Sequence, residues 1–520
     1  MRKVKVLTVA EAVAQVKDGD TLAVSGFVGS AIPEALMAGL EKRFLETSSP
    51  KGITYCYGAA QGTGTPESHA GDHLAHAGLT KRVVAAHYNL SPKLGKLIMN
   101  NEIEGYCFPQ GVMAHLMRDI AAGRPGVITH VGLGTFADPR LEGGKINAKT
   151  KEDLVHVIDI MGQEKLLYKA YPINVAFLRG TWADESGNVA NNREAVLPEV
   201  TAIAQAAKNS GGKVFVQVEG IVTKGALDPK LVHIPGIYVD GIVVADPKEH
   251  EQVLGTPGYN PALCGEIFAS VSEADKAAPL DPKKIIGRRA AMELRENTVV
   301  NLGIGAPEYV SVVAKEEGMA DYMTLTVEAG PVGGIPQGGA AFGTTLNPDA
   351  ILCQAEQFDF YDGGGIDLAY LGLAQADEKG NINVSKFGPR LAGCGGFIDI
   401  TQNAKKVFFC GTFTAGGLKV AAGEGKLTIT AEGKEKKFIK TVEQVTFSGS
   451  YAQKTKQPVM YITERAVFEL RADGFYLTEV APGIDVQKQV LDLMEFKPKV
   501  DGPKLMDPRI FTDKPMGLKK

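Results

Sequence analysis

The feature that most constrains the fold of this chain is an internal repeat. Residues 173–189 align without gaps on residues 366–382 at an offset of 193, and eight of the 17 aligned positions are identical. Ordinary residue frequencies would give about one identity. Residues 213–215 and 406–408, both Lys-Val-Phe, keep the same offset. The chain is therefore predicted to contain two related units in tandem.

Each unit is predicted to begin with the same order of elements. A strand over residues 21–24 leads to a helix that begins at Pro33, and a strand over residues 298–302 leads to a helix that begins at Pro307. Proline at a first helical position is favoured because its missing N–H is not needed there. Strands that alternate with helices indicate the α/β class, and 520 residues are too many for one core. We therefore predict two open α/β domains.

The domain boundaries follow from spacing and composition. Pro33 and Pro307 lie 274 residues apart, whereas the repeated segments lie only 193 residues apart. The first unit therefore contains about 80 extra residues between its Pro33 helix and its repeated segment, within about residues 60–170. Residues 246–280 are polar, contain four prolines and lack periodicity, which is typical of a linker. The predicted domains are 1–245 and 281–520, the second carrying Glu328, and the tail is predicted to end in short strands and a helix.

Composition and charge exclude several classes of protein. The formal net charge is −4 and no basic segment stands out, which argues against nucleic-acid binding. The six cysteines form no CxxC pair, so reduced thiols in a cytoplasmic protein are expected. No stretch of 18 apolar residues predicts a membrane span, and charged residues interrupt any apolar run near the N-terminus, so we expect no signal peptide.

The most informative single stretch is the corner at Glu328. Residues 323–327 have β character, Glu328 follows, and the next eleven residues contain five glycines and two prolines. The carboxyl ends of strands in α/β proteins are where ligands bind, so Glu328 stands where a reacting group is expected. A carboxylate is ionised at neutral pH and needs no base to act as a nucleophile. The alternative is an ordinary corner with a solvated glutamate.

Three further stretches have the composition of a reaction site. Residues 108–111 place the Gln110 amide on a glycine turn, and residues 363–365 and 393–397 are glycine-rich loops. Backbone N–H groups of such loops can stabilise an anionic transition state. Taken singly, each of the three is also consistent with a structural turn.

Other motifs carry weaker predictions. Gly303 and Gly305 follow a strand, but Glu308 stands where a dinucleotide-binding motif has its third glycine, so a helix N-terminus that receives a phosphate or carboxylate is the better interpretation. His69, His73 and His76 share helical spacing near Glu67 and Asp72, which suggests either a metal site or a polar helix face. No histidine follows His250, so Ser/His or Cys/His catalysis in the second unit would have to borrow its base from the first.

Together these stretches resemble the family I CoA-transferases, and most closely their propionate/lactate-type (short-chain acyl) members. Residues 18–27 with Ile32 and Pro33 are similar to the first family signature, and residues 325–330 (LTVEAG) correspond to the second. Ser25 and Ala31 stand where glycines are usual, and only Leu, Glu and Gly of the second signature agree with the ketoacid transferases. Four further segments are similar to sequence blocks of the family: residues 108–111, 358–365, 393–397 and 461–468.

The resemblance implies two tandem open α/β domains of the CoA-transferase type. It implies that Glu328 is the nucleophile, that Gln110 and Gly396 are oxyanion donors, and that the reaction is a ping-pong exchange between short-chain acyl-CoA and acids such as acetate, propionate, butyrate and lactate. No metal or redox cofactor is implied, and a homo-oligomer is expected. The residues expected to contact CoA are Gly303, Gly305, Pro307, Lys386 and Gly395.

Two other functions stay open at this point. Water could replace the acceptor acid, which would make the chain an acyl-CoA hydrolase. A sugar-phosphate isomerase or sensor of related α/β architecture is the other alternative, although such a protein has no need of the Glu-Ala-Gly-Pro corner at residues 328–331. We also expect the site to lie between the two sequence-defined units, with Gln110 reaching across to Glu328.

Overall fold

The computed structural model describes residues 3–65, 67, 69–270 and 278–519. Two compact units make up the chain. The first contains residues 1–269, 327–359 and 389–399, and the second contains residues 270–326, 360–388 and 400–520. In the part of the chain that the structure describes, no helix has both the length and the apolar character needed to span a bilayer.

A seven-stranded parallel sheet forms the centre of the first unit. Its spatial order is β7-β6-β5-β1-β2-β3-β4, and every pair of neighbours is parallel. All five residues of β5 are buried, as expected for a parallel sheet that is covered on both faces. The strands are β1 (Thr21–Val24), β2 (Ile53–Tyr57), β3 (Thr80–Ala85), β4 (Glu104–Cys107), β5 (Val175–Arg179), β6 (Lys213–Val218) and β7 (Gly241–Val244).

An eight-stranded mixed sheet forms the centre of the second unit. Its order is β9-β8-β10-β11-β12-β13-β14-β15. Strands β9 to β12 are parallel, β13 is antiparallel to both its neighbours, and β15 is parallel to β14. The strands are β8 (Thr298–Leu302), β9 (Met323–Leu325), β10 (Leu368–Gly372), β11 (Lys406–Cys410), β12 (Val459–Ile462), β13 (Ala466–Arg471), β14 (Gly474–Val480) and β15 (Lys499–Leu505).

The helices predicted to begin at Pro33 and Pro307 begin at Glu34 and Tyr309. Thr8 and Glu11 form a capping box at the first helix, and Asp281 accepts a hydrogen bond from the N–H of Lys284 to cap the sixth. The helices are α1 (Val9–Val13), α2 (Glu34–Thr47), α3 (Pro92–Met99), α4 (Gln110–Ala121), α5 (Val200–Asn209), α6 (Pro282–Ala291), α7 (Tyr309–Glu316), α8 (Gln354–Asp362), α9 (Phe397–Asn403), α10 (Gly449–Thr455) and α11 (Val486–Gln489).

Smaller strands complete each unit. In the first unit, Gly126–Thr129, Val155–Ile160 and Gln163–Lys169 form a three-stranded sheet, Trp182–Asp184, Val189–Ala190, Gly220–Val222 and Val232–Ile234 form a four-stranded one, and Pro331–Val332 pairs with Ala350–Ile351 and Ile335–Pro336 with Thr345–Leu346. In the second unit, Gln375–Ala376 pairs with Ile382–Asn383, Thr414–Ala415 with Glu435–Lys436 and Lys419–Gly423 with Lys426–Ala431.

The two central sheets share a five-strand topology. The order β7-β6-β5-β1-β2 in the first unit corresponds to β12-β11-β10-β8-β9 in the second. Strands β5 and β10 are 193 residues apart, as the sequence repeat requires. The first sheet adds β3 and β4, which lie within the extra residues of the first unit. The predicted α/β class with two related open domains is confirmed.

The most similar part of the repeat folds into the same turn twice. In the first unit, Oδ1 of Asp184 accepts hydrogen bonds from the N–H groups of Ser186 (2.8 Å) and Asn188 (3.0 Å), and Oδ2 accepts one from Nδ2 of Asn188 (2.9 Å). Oδ1 of Asp377 likewise accepts from the N–H groups of Lys379 and Asn381, each at 3.0 Å. The shared Asp-Glu-x-Gly-Asn sequence is therefore explained by one side-chain-capped turn.

The compact units divide the chain differently from the sequence-based boundaries. Residues 327–359, which carry Glu328, and residues 389–399 pack with the first unit. The front of the predicted linker also packs there, because the buried guanidinium of Arg179 donates to the carbonyl of Glu251 (2.6 Å). Residues 271–277 of the linker lie outside the described residues. The boundaries at 245 and 281 stay a prediction.

The repeated turn generates a prediction about stability. Asp184→Ala removes a buried acceptor of three hydrogen bonds and leaves backbone donors without a partner. We expect the free energy of unfolding of the first unit to fall by about 2–4 kcal/mol, measured by urea denaturation. Glu185→Ala, at an exposed neighbouring position, is the matched control. Equal unfolding midpoints for the two variants would contradict this explanation of the repeat.

Candidate functional site

The corner that carries Glu328 is a tight turn. Strand β9 ends at Leu325, two residues earlier than predicted, and Glu328 lies in the turn that follows. The N–H of Gly330 donates to the carbonyl of Val327 (3.0 Å), and the N–H of Leu352 donates to the carbonyl of Gly330 (3.0 Å). Gly330 has a φ of +115°, and a Cβ there would lie 2.0 Å from the carbonyl oxygen of Leu352. Glycine is therefore required after Glu-Ala.

The Glu328 carboxylate is held without a cation beside it. The side chain is half-buried, and within the described residues its carboxylate accepts no hydrogen bond from another residue. Burial raises the pKa of Glu328 above its usual value, because loss of hydration disfavours the charged form. The turn itself is held by Nε2 of Gln357, which donates to the carbonyl of Val327 (3.3 Å). The carboxylate is thus available to a ligand.

A glycine-rich segment of the first unit, residues 392–396, lies against the Glu328 side chain. The N–H of Gly395 donates to the carbonyl of Ala86 (2.8 Å), directly after β3, and the N–H of Tyr88 donates to that of Ala392 (2.8 Å). The carbonyl of Gly395 accepts the N–H of Gln110 (3.0 Å), the first residue of α4. These backbone hydrogen bonds fix the segment at the ends of β3 and β4.

Gly396 brings its backbone into contact with Glu328. A Cβ on Gly396 would lie 3.0 Å from Cγ of Glu328 and 3.1 Å from Cζ of Phe358. A Cβ on Gly111 would lie 2.7 Å from Cδ1 of the same phenyl ring. In the described part of the chain, the N–H of Gly396 has no acceptor. An N–H beside a nucleophilic carboxylate can stabilise an oxyanion that forms there.

Gln110 places a side-chain amide at the same location. Its side chain is buried, and Nε2 donates to Oε1 of Gln354 across 3.5 Å. Oε1 of Gln110 lies 3.7 Å from the position of a Cβ on Gly395. The structure therefore brings together four residues that the sequence singles out: Gln110, Glu328, Gly395 and Gly396.

Sequence reasoning missed two residues behind Gln110. Nε2 of Gln354 donates to Oε2 of Glu199 at 3.0 Å, and both side chains are buried. Burial raises the pKa of Glu199 to about 7. Neither residue belongs to a local pattern, because they approach each other only when residues 327–359 pack onto the first unit.

Sequence reasoning also missed His87. It pairs with Gly393 in an isolated bridge, and its imidazole is kept neutral because burial lowers its pKa to about 4. A histidine of the first unit therefore does lie against residues 389–399, although its ring carries no charge near pH 7.

An apolar cluster adjoins the corner through Ala329. Its members are mostly small side chains, with two phenylalanine rings 6.1 Å apart between centroids. The corner is therefore flanked on this side by apolar side chains and not by charged ones. The cluster comprises Phe27, Val28, Ala31, Ala59, Ala60, Val196 and Ala329, with Leu90 and Phe342 packed against it.

The remaining predicted CoA contacts lie in the second unit. Gly303 follows β8, and its N–H donates to the carbonyl of Tyr370 (2.8 Å). Gly305 has a φ of +92° and open space where a Cβ would be, and Pro307 precedes α7. Lys386 lies on the short strand Lys386–Phe387. Their contact with CoA stays a prediction.

The histidines with helical spacing, His69, His73 and His76, are paired with carboxylates of α2. Nε2 of His73 lies 2.9 Å from Oε1 of Glu34, and Nε2 of His76 lies 2.6 Å from Oε1 of Glu41. Nδ1 of His69 lies 3.2 Å from Glu34, whose pKa the imidazoles lower to about 2 despite burial. In the described ranges, no group of three or more His, Cys, Asp or Glu residues is placed to hold a metal ion.

Comparison with known proteins identifies the family. The coenzyme A transferase family model matches residues 6–245. An acetate CoA-transferase of Escherichia coli, YdiF, is 43 % identical over 519 residues, which cover 99 % of this chain and 97 % of that protein. The chain is a family I CoA-transferase.

Two further comparisons match nearly the whole length of this chain. A caffeate CoA-transferase of Acetobacterium woodii is 45 % identical over 520 residues, which cover 99 % of this chain and 98 % of that protein. The crystal structure of the YdiF apoenzyme superimposes with a TM-score of 0.93 at 41 % identity, covering 99 % and 97 % of the two chains. The predicted family, fold and CoA-transferase activity are confirmed.

The contact between Gly396 and Glu328 generates a prediction about turnover. Gly396→Ala forces Glu328 or Phe358 to move by a few tenths of an ångström. We expect CoA-transferase turnover to fall about tenfold or more, because small displacements of a reacting group are costly. Gly95→Ala is the control, since nothing lies within 4 Å of a Cβ at this position of α3. Wild-type turnover in Gly396→Ala would show that the segment plays no part in the site.

Proposed function

We propose that this CoA-transferase exchanges CoA between a short-chain acyl-CoA and a free short-chain carboxylic acid through covalent intermediates on Glu328. One observation carries the proposal: Gly396, whose N–H has no acceptor among the described residues, packs on the Glu328 side chain, and the Gln110 amide lies beside the adjoining Gly395. A nucleophile and two oxyanion donors are the groups that acyl transfer requires. Coenzyme A is a substrate in this reaction, which needs no metal or redox cofactor.

The first half of the proposed reaction loads CoA onto the enzyme. A carboxylate oxygen of Glu328 attacks the thioester carbonyl carbon, and Nε2–H of Gln110 and the N–H of Gly396 donate to the oxyanion that forms. The C–S bond breaks, which gives a mixed acyl-glutamyl anhydride and CoA thiolate. The thiolate then attacks the glutamyl carbonyl of the anhydride. The donor acid leaves as a carboxylate, and a glutamyl-CoA thioester remains.

The second half runs the same steps in reverse with another acid. The acceptor carboxylate attacks the glutamyl-CoA thioester, which releases thiolate and forms a new anhydride. The thiolate attacks the acyl carbonyl of this anhydride, so that a new acyl-CoA leaves and Glu328 returns to its free carboxylate. One thioester is exchanged for another, so little net free energy is needed.

The apolar cluster at Ala329 supports short-chain acyl groups as substrates. Phe27 and Phe342 pack there with small side chains such as Ala59 and Ala60, next to the residue that follows Glu328. The Escherichia coli and Acetobacterium relatives are named for acetate and caffeate, two acids of very different size. We infer that the residues around Ala329 select the acid, and we assign this chain to the short-chain class.

We further propose that Gly395 contacts CoA near the thioester and that Gly303, Gly305, Pro307 and Lys386 contact other parts of the CoA molecule. A cytoplasmic homo-oligomer is the expected form of the protein. The hydrolase alternative differs in one respect, since an acyl-CoA hydrolase turns over without an acceptor acid. The sugar-phosphate isomerase or sensor alternative is overturned by membership of the CoA-transferase family.

Substitutions of Glu328 test the proposal. Glu328→Gln and Glu328→Ala should abolish transfer and leave the thermal midpoint nearly unchanged, because the half-buried side chain contributes little packing. Glu328→Asp keeps the charge but withdraws the oxygens by about 1 Å, which should cost about a hundredfold in turnover. Slow acyl-CoA hydrolysis is the expected remnant activity of Glu328→Asp, because the carboxylate can still polarise a water molecule.

Initial-rate kinetics of the wild-type enzyme provide the second part of this test. Double-reciprocal plots should be parallel, because the first acid leaves before the second binds. Glu356→Gln, at an exposed position on α8, should behave as the wild type. Intersecting lines, together with a Glu328→Gln variant that still transfers CoA, would refute the covalent mechanism.

A panel of acceptor acids tests the substrate class. Acetate, propionate, butyrate, acrylate and lactate should all be used with acceptor kcat/KM values within about two orders of magnitude of one another, because one methylene in an apolar pocket is worth only about 1–3 kcal/mol. Phe342→Ala should shift the preference toward longer or aromatic acids by enlarging the apolar cluster. A strong preference of the wild type for succinate, a 3-keto acid or caffeate over all the short acids would contradict the assignment.

A further inference from the structure

Glu199 is a buried carboxylate that the proposed reaction does not use. Glu199 directly precedes α5, and the residue is only 3 % exposed. Within the described part of the chain, Glu199 forms no ion pair, and its side-chain partner is Nε2 of Gln354 at 3.0 Å. A buried carboxylate without a cation destabilises a fold, so its presence behind the candidate site calls for a functional explanation.

Two amides connect Glu199 to the site. Nε2 of Gln354 donates to Glu199, and Oε1 of Gln354 accepts from Nε2 of Gln110 across 3.5 Å. An ionised carboxylate can only accept hydrogen bonds. Gln354 must therefore turn its NH2 group toward Glu199 and its oxygen toward Gln110.

The orientation of Gln110 follows from that of Gln354. Facing an amide oxygen, Gln110 must turn its own NH2 group toward it, and the second N–H of that group stays available to a ligand. The long distance of 3.5 Å leaves room for this hydrogen bond to tighten when a substrate binds. The charge on Glu199 therefore determines the orientation of the Gln354 amide and, through it, that of the Gln110 amide.

We propose that Glu199 is a positioning residue that acts through Gln354 to make Gln110 present its N–H, and not its oxygen, to the oxyanion. This inference rests on the proposed function, because the direction of the Gln110 amide matters only if an oxyanion forms there. When Glu199 is neutral, both orientations of Gln354 are satisfied, and a share of the molecules presents the Gln110 oxygen. An amide oxygen would repel the oxyanion.

The two titratable groups that interact with the charge of Glu199 are thiols that stay neutral near pH 7. Cys56 on β2 and Cys353 before α8 interact with its charge, and burial keeps both thiols protonated by raising the pKa of each to about 12. Tyr171, bonded to the Cys56 thiol at 3.0 Å, is also buried and neutral. Glu356 on α8 is exposed, and the pKa of Glu199 is about 7.

Single-turnover kinetics of the full-length enzyme with a short-chain acyl-CoA test the inference. The measured quantity is the rate at which the glutamyl-CoA thioester forms on Glu328, followed by mass spectrometry after quenching. Glu199→Gln and Gln354→Met should each lower this rate about tenfold or more, as expected for a misdirected oxyanion donor, with the apparent Kd for acyl-CoA changed less than about threefold. The double variant should be no slower than the slower single one.

The pH dependence of the same rate separates positioning from a structural role. The wild-type rate should fall as the pH drops from 8 to 6, because Glu199 becomes protonated. Gln354→Met should lose the part of this dependence that belongs to Glu199 and keep the part that belongs to Glu328. If Glu199→Gln does not fold, Gln354→Met decides alone. Glu356→Gln serves as the exposed control and should match the wild type in rate and in pH profile.

Three results would overturn the inference. They are a wild-type rate in either single variant, losses that multiply in the double variant, and an unchanged pH profile in Gln354→Met. A wild-type enzyme that forms no thioester on Glu328 would instead refute the proposed function, so the two failures are distinguishable.

Discussion

The candidate site depends on two backbone hydrogen bonds at Gly395. Its N–H donates to the carbonyl of Ala86 at the end of β3, and its carbonyl accepts the N–H of Gln110 at the start of α4. Both partners belong to rigid elements of the first unit, so residues 389–399 cannot move away without breaking this pairing. Gly396 is thereby held against the Glu328 side chain, and the Gln110 side chain begins from a fixed backbone position.

Burial gives the site its electrostatic character. The pKa values of Glu328 and Glu199 are both raised by loss of hydration, and His87 nearby is neutral for the same reason. A carboxylate that is poorly hydrated and has no cation is more reactive than one in water, and the proposed mechanism uses donors that are held in place before the reaction. The stability lost by burying these groups is consistent with a reactive role.

Much of the architecture could be predicted from the sequence because it repeats. The offset of 193 residues anticipates that β5 and β10 occupy equivalent places in their sheets, and the shared turn at Asp184 and Asp377 explains the strongest identity. Glu328, Gln110 and Gly396 could be singled out as candidates because glycine and proline mark strand ends, and because the family signatures surround them.

The rest depends on contacts between distant parts of the chain. No local pattern indicates that residues 327–359 pack with the first unit, or that this places Gln354 beside Glu199. Strand β9 ends earlier than its β-branched residues suggest, because the turn around Gly330 needs the following residues. The position of the linker is also not evident from the sequence, because the buried Arg179 donates hydrogen bonds to the carbonyls of residues 250 and 251.

The most direct test of the central claim is to trap the intermediate on Glu328. The wild-type enzyme is incubated with acyl-CoA and no acceptor acid, reduced with borohydride and digested for peptide mass analysis. A glutamyl-CoA thioester is reduced to an alcohol, so the peptide that contains Glu328 should lose 14 mass units, as follows from replacing a carboxyl group by CH2OH, and Glu328→Gln should show no change. An unmodified Glu328 peptide in an enzyme that is turning over would contradict the mechanism.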